Sequence, residues 1–370
     1  MKITCVNSKL KEAVENCERI ISRNLTLPIL NNIFLRTEKN KIVVSSTNLE
    51  VGIRSWFTAK IEEEGEVTVP AKVLAGILTN LSESNIELKT KKETMLGIVS
   101  GKYRGELNGQ NPKDFPIIPY LKKDQLISFE VKEFSLALSQ VIPFTAVSET
   151  RPEITGVLFQ KEKNQEFLSL VATDSFRLAE RKIYLKKEYK KNEFSFILPQ
   201  RTATETLRLL TGKNETRLVI EPNQVGFETE SSEIISRLIE GNYPNYSTFI
   251  PKEFKTEIVL NRDELIKNIR LVSLLSSRVN DIHLKIEEEK GGSLTLWASD
   301  PDLGENTTTL PVKMTGEPIE INFNWRYLIE GLQNIEGKEV QIKFTDVVKP
   351  TLIKSVEDPS YIYIVMPIRA

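Results

Sequence analysis

Val43-Val44-Ser45-Ser46-Thr47-Asn48, Leu168-Ser169-Leu170-Val171-Ala172-Thr173-Asp174 and Leu294-Thr295-Leu296-Trp297-Ala298-Ser299-Asp300 are three copies of one pattern. In each, an apolar run with strand character ends in a small residue, a hydroxyl residue and an Asx, and a turn follows. Asn48, Asp174 and Asp300 stand 126 residues apart in both intervals. Solenoid repeats span roughly 20 to 50 residues; this interval is the size of a domain. The chain therefore reads as one fold made three times, and shape becomes the place to look for function.

Other landmarks repeat in the same order. Short strands at Ile3-Thr4-Cys5-Val6, Ile127-Ser128-Phe129-Glu130-Val131 and Glu257-Ile258-Val259-Leu260 each run into an amphipathic helix. Asn7 or Ser8, and Asn261 or Asp263, are candidate N-caps. A second helix follows Val69-Pro70, Leu198-Pro199 and Asn322-Phe323, and strands follow each one. Charged stretches at 122–127 and 252–257 suit linkers. The expected domains are 1–124, 125–253 and 254–370. Two helices with many strands per unit predict an α+β fold, helices packed on antiparallel sheet.

Composition excludes several classes. The chain has 50 Lys and Arg against 51 Asp and Glu, a net charge of −1, which is not the excess of a tight nucleic-acid binder. It permits a local basic surface. No apolar run approaches the ~20 residues of a membrane span, and the N-terminus has no signal-peptide character. Only Cys5 and Cys17 are present, so a reducing, cytoplasmic setting is expected. One histidine, His283, sits between apolar neighbours, where a structural role is expected. No zinc spacing or phosphate-loop glycine pattern occurs. Asp300 and Asp302 could be imagined as an acid–base pair. One of the three matched Asx residues is Asn, so the shared role reads as hydrogen bonding. No catalytic residue, cofactor or metal is expected.

Thr26-Leu27-Pro28-Ile29-Leu30, Val171-Ala172-Thr173-Asp174-Ser175-Phe176-Arg177-Leu178-Ala179 and the tail Tyr363-Ile364-Val365-Met366-Pro367-Ile368-Arg369 resemble the β subunit of bacterial replicative DNA polymerase, the β sliding clamp. The resemblance covers the whole chain in order. It implies the DNA clamp fold: two chains joined head to tail as a homodimer, six similar units around duplex DNA, helices lining the inside and sheets outside. Twelve helices side by side at ~10 Å give a circle about 38 Å across, with a bore of about 28 Å. Head-to-tail contacts close only if the rotation closes. The implied function is a non-enzymatic processivity clamp for the polymerase. The competing readings are a monomeric three-repeat protein-binding scaffold and a hydrolase with its site between domains.

The resemblance also implies sites. Partner proteins, among them the polymerase and the clamp loader, insert a short peptide into a groove. The matching positions are Ile154, Thr173, Phe176, Arg177, Leu178, Pro244, Phe249, Tyr327, Val348, Met366, Pro367, Ile368 and Arg369. Phe176 stands where the family often has histidine, and Thr248 where some members have arginine. Duplex-facing positions are Arg23, Asn24, Lys72, Arg151, Arg201, Lys267 and Arg270, with Arg19, Arg208 and Arg326 as further helix-borne candidates. At the dimer contact Leu107 meets Leu274 and Leu275, with Gly105 replacing a bulky family residue.

Overall fold

The computed structural model describes residues 1–21, 26–122, 126–148, 150–185, 189, 193–288 and 291–368. The first copy runs β1 (Lys2–Val6), α1 (Asn7–Glu18), β2 (Asn32–Glu38), β3 (Lys41–Thr47), β4 (Val51–Thr58), β5 (Lys60–Glu63), β6 (Glu66–Pro70), α2 (Ala71–Asn80), β7 (Asn85–Lys92), β8 (Met95–Ser100) and β9 (Tyr103–Asn108). The second runs β10 (Leu126–Glu130), α3 (Val131–Val141), β11 (Gly156–Lys161), β12 (Phe167–Thr173), β13 (Arg177–Tyr184), β14 (Phe194–Pro199), α4 (Gln200–Leu209), β15 (Glu215–Glu221), β16 (Gln224–Glu228) and β17 (Ser232–Arg237). The third runs β18 (Thr256–Asn261), α5 (Arg262–Val272), β19 (Asp281–Glu287), β20 (Ser293–Asp300), β21 (Gly304–Pro311), β22 (Lys313–Gly316), β23 (Ile319–Asn324), α6 (Trp325–Gln333), β24 (Glu339–Phe344), β25 (Thr351–Ser355) and β26 (Tyr361–Val365). With the short β5 and β22 set aside, the order is the same three times. The expected fold of three α+β copies is the one observed.

The sequence pattern explains the elements. In β1, β10 and β18 the buried residues alternate: Ile3 and Cys5, Ile127 and Phe129, Ile258 and Leu260. The helices that follow bury residues at three-and-four spacing: Leu10, Val14 and Cys17; Phe134, Leu138 and Val141; Leu265, Ile269 and Val272. Asn261 caps α5, its Oδ1 accepting the Glu264 amide at 2.9 Å. Asn7 does not act as a cap; it is the first residue of α1, and Val6 occupies the cap position without a side-chain bond.

Within each copy the first strand and the last three form one sheet, the first pairing with the earliest of the three, and the four middle strands form a second sheet. The middle sheets are β4-β3-β2-β6, β13-β12-β11-β14 and β21-β20-β19-β23. Successive copies are stitched by one rule. The last strand of each later copy pairs with the third middle strand of the copy before it, β17 on β4 and β26 on β13. Contact density follows these joints. One compact unit is Met1–Ser135 with Arg201–Leu238, and the other is Leu136–Gln200 with Ile239–Ala370.

The motif that repeats is an Asx turn. Asn48 Oδ1 accepts the Glu50 and Val51 amides at 3.1 and 2.7 Å. Asp174 Oδ1 accepts those of Phe176 and Arg177, both at 3.0 Å. Asp300 Oδ1 accepts those of Asp302 and Leu303 at 2.9 and 3.1 Å. Asp300 thus serves its own turn. His283 stacks on Trp297 with ring centroids 4.8 Å apart.

Candidate functional site

The β13–β26 joint carries a slot. Leu178 and Ile364 face each other across the ladder. With Leu158, Val171, Ile197 and Leu352 they form a buried apolar cluster. This floor opens into a cavity of about 260 Å³ lined by Arg151, Ile154, Thr173, Ser175, Phe176, Arg177, Leu178, Pro244, Tyr246, Phe249, Pro350, Ile364 and Met366. Clefts that engulf a whole small ligand run from roughly 300 to 1,000 Å³. A smaller apolar slot suits one or two anchor side chains of an extended segment.

The Asx turn builds one wall. Ser175 takes a left-handed φ of 78°, and its amide donates to Thr173 Oγ1 at 3.2 Å. The turn leaves Phe176 59% exposed. The Met366 amide donates to the Phe176 carbonyl at 2.9 Å, which ties the tail to this wall. Phe249, at the end of a 3-10 turn over Tyr246–Phe249, is the second exposed aromatic ring, at 54%. Tyr246 donates its hydroxyl to Glu180 Oε1 at 2.9 Å. Burial, and then that carboxylate, push the Tyr246 pKa above its ordinary value, so the hydroxyl stays a donor.

Arg177 organises the turn. Its side chain is 10% exposed; Nε donates to Asp174 Oδ2 at 2.9 Å, and Nη1 pairs with Glu330. The guanidinium lies 4.4 Å from the Tyr327 ring centroid and 5.1 Å from that of Phe144. Burial works against the charge. Tyr363, Glu330 and Asp174 outweigh it, and the pKa ends above the ordinary arginine value. Tyr327 stacks on Phe176 at 6.4 Å, so the charge network reaches the exposed ring.

Of the residues expected in a groove, Ile154, Thr173, Phe176, Arg177, Leu178, Pro244, Phe249 and Met366 line the cavity. Tyr327 stands behind Phe176. Val348 is about half exposed but does not line it; Pro350 does. Pro367 is buried, and the Ile368 amide donates to the Asn322 carbonyl at 2.8 Å. Arg369, Arg23 and Asn24 lie outside the described residues. Arg151, expected to face a duplex, lines the cavity and donates to Ser175 Oγ at 3.1 Å. Sequence reasoning missed Ser175, Tyr246, Pro350 and Ile364. Strand alternation could have found Ile364, two residues before Met366 and on the same face.

Lys72, Arg201, Lys267 and Arg270 are exposed on helices. Arg201 donates to the Ile20 carbonyl at 3.0 Å. Arg262, Lys267 and Arg270 share a shallow cavity with Asp263, Ile266 and Gln333. Leu107 is half-buried on β9, Leu275 is half-buried, and Leu274 is 71% exposed in the turn after α5. Among the described residues no cluster of three or more His, Cys, Asp or Glu side chains could hold a metal, and no helix is long and apolar enough to cross a membrane.

Three like domains and an apolar slot define a binding module assembled from tandem copies. Models of the N-terminal, central and C-terminal domains of the DNA polymerase III beta subunit match residues 1–119, 128–245 and 247–369. The beta sliding clamp of Bacillus subtilis is 27% identical over the full length of both chains. That of Synechocystis is 27% identical, covering 100% of this chain and 99% of its own. The crystal structure of the Bacillus subtilis DNA polymerase sliding clamp superposes with a TM-score of 0.94, at 27% identity over 100% of this chain and 99% of that one. The Thermotoga maritima DNA polymerase III beta subunit gives 0.90 at 26%, with the same coverage. The chain belongs to the DNA polymerase III beta subunit family. It works as a DNA sliding clamp, a processivity subunit and not an enzyme.

Proposed function

We propose that two copies of this chain close head to tail into a ring around duplex DNA in the cytoplasm. The functional domains are 1–124, 125–253 and 254–370. The β13–β26 slot tethers the polymerase, the clamp loader and other proteins through a short peptide with aliphatic and aromatic anchors. The stitching rule carries this reading. It supplies the last strands of the second and third copies with partners, β4 and β13. Among the described residues β9 and β21 stand at the ends of their sheets. One chain thus has one donor edge and one acceptor edge of the kind already used twice inside it. Such edges assemble heterologously, and a constant rotation closes them into a ring. Enclosure replaces adhesion. Lys72, Arg201 and Arg270 need make only weak, sequence-independent, salt-sensitive contacts with phosphate.

Two measurements test it. Sedimentation at micromolar concentration should give twice the 42.2 kDa chain mass. Protein loaded on a nicked circular plasmid should remain there and be lost after one linearising cut. A monomer, or equal retention on circular and linear DNA, overturns the ring.

A further inference from the structure

The copies can be aligned from hydrogen bonds alone. The first amide of each leading helix donates to the turn after the second helix: Asn7 to Ser84, Val131 to Asn214 and Arg262 to Lys338. Lys267 on α5 therefore matches Glu12 on α1, and Glu83 matches Lys213. In the β4–β17 joint Lys213 Nζ donates to Glu12 Oε1 at 2.9 Å and to Ser231 Oγ at 3.1 Å. A helix of one copy is thereby latched to a turn of the next. At the two unpaired edges the signs are exchanged, with lysine on the helix and glutamate on the turn. Glu83 is already over the turn that leads into β9: a Cβ on Gly101 would meet its side chain at 2.8 Å. The β13–β26 joint has Leu136 and Gly337 at these positions and no charges to pair.

The strands give the register. Gly105 lies opposite Ile98 as Ile234 lies opposite Phe227 and Tyr363 opposite Ile353. On the receiving side Ser299 faces Glu305 as Thr47 faces Gly52 and Thr173 faces Leu178. Inside the chain Ile234 meets Ile53, Tyr363 meets Ala179, and Ser232 meets Ser55. The matching third set is Gly105 on Asn306, Tyr103 on Thr308 and Leu107 on Gly304. Leu107 then enters the gap left by Gly304, whose Cβ position is 3.9 Å from Leu275 Cδ1.

We infer that the closing joint pairs β9 with β21 of a second copy in this register and is keyed by Lys267 against Glu83 of the partner subunit, a charge-reversed copy of the internal Glu12–Lys213 latch. The inference rests on the dimer reading above. The reversal discriminates between edges. A turn bearing Glu83 is repelled by a helix bearing Glu12, and a turn bearing Lys213 by a helix bearing Lys267, so the internal and closing edges do not exchange. It also places Lys267 at the closing joint and not among the duplex-facing residues.

Sedimentation of Glu83→Lys and Lys267→Glu reads this directly. Each should weaken the dimer roughly tenfold, about threefold at each of two joints. An equimolar mixture should regain wild-type affinity to within about twofold, because both joints of the mixed dimer are complementary. Unrescued mixtures, or single variants that dimerise like wild type, overturn the key. A monomeric wild type instead overturns the ring. For the register, Tyr103→Cys with Thr308→Cys should oxidise to a covalent dimer, since opposing residues of a non-hydrogen-bonded pair bring Cα atoms to about 4.5 Å. Tyr103→Cys with Thr307→Cys should not. Equal or better yield from the Thr307 pair overturns the register.

Discussion

Arg177→Val tests how the slot is held. The side chain removed is 10% exposed, pairs with Asp174 and Glu330, and lies over Tyr327. Breaking a buried ion pair by losing one partner costs about 3–5 kcal/mol. Here Asp174 keeps two backbone donors, and Glu330, 45% exposed, can hydrate. We expect about 2.5 kcal/mol, which at a urea slope of about 3 kcal/mol/M lowers the midpoint by roughly 0.8 M. The first copy shows the remedy. It makes the same turn with Asn48 and places Val51 where Arg177 stands. Asp174→Asn with Arg177→Val should therefore recover most of the loss, to within about 1 kcal/mol of wild type, because no orphaned charge remains. Binding should not recover, since Tyr327 loses the cation that holds it behind Phe176. Fluorescence anisotropy with a labelled hexapeptide carrying one leucine and one phenylalanine should show at least tenfold weaker binding by the stable double variant. A double variant as unstable as the single one refutes the account of the turn; one that binds like wild type refutes the role given to Arg177.

Two further outcomes follow from buried groups. Burial pushes the thiols of Cys5 and Cys17 up to about 12, so at pH 8 a thiol reagent should label neither in the folded protein and both after unfolding in guanidinium. At the β13–β26 joint, burial alone would raise the Asp358 pKa. Hydrogen bonds from Ser360 and pairing with Arg181 win, and it lies below the ordinary aspartate value. A depressed carboxylate stabilises the fold above the ordinary value, and that contribution is lost as pH falls through the folded one. Asp358→Asn should thus lower the urea midpoint at pH 7, and its difference from wild type should shrink towards zero near pH 2.

Much of this was legible because it depends on local periodicity. Three Asx turns, three alternating strands and three helices with matched buried faces are all properties of short segments, so the α+β triplicate could be read directly. The stitching of β17 to β4 and β26 to β13 could not. It joins residues 177 to 188 positions apart, and no pattern inside either strand names its neighbour. The slot was legible through the family resemblance, which named Thr173, Phe176 and Leu178 on the repeat. It was not where a residue enters from a connecting loop, as Pro350 does in place of Val348. Arg151 is a different case. The resemblance sets it towards a duplex, and its side chain also donates to Ser175 Oγ, a contact made by the loop before β11 that no local pattern names.

The same stitch occurs at both internal joints, yet among the described residues the matched apolar floor is open at the second and filled at the first, and the substitutions at matched positions explain why. Where the β13–β26 joint has Phe176, Leu178 and Met366, the β4–β17 joint has Glu50, Gly52 and Arg237. Gly52 leaves a hole, and Ile118 fills it; a Cβ on Gly52 would meet Ile118 Cγ2 at 2.7 Å. Ile118 then packs with Ile29, Phe115 and Ile235, and its carbonyl accepts from Arg54. The first joint is plugged by the connecting segment of its own copy. At the second, Tyr246 occupies the matched place, but its hydroxyl is drawn to Glu180, and the Leu178–Ile364 floor remains open to a side chain from outside. One backbone plan thus yields a filled floor or an open one, according to whether the connecting segment supplies the apolar anchor itself or leaves that place for a partner.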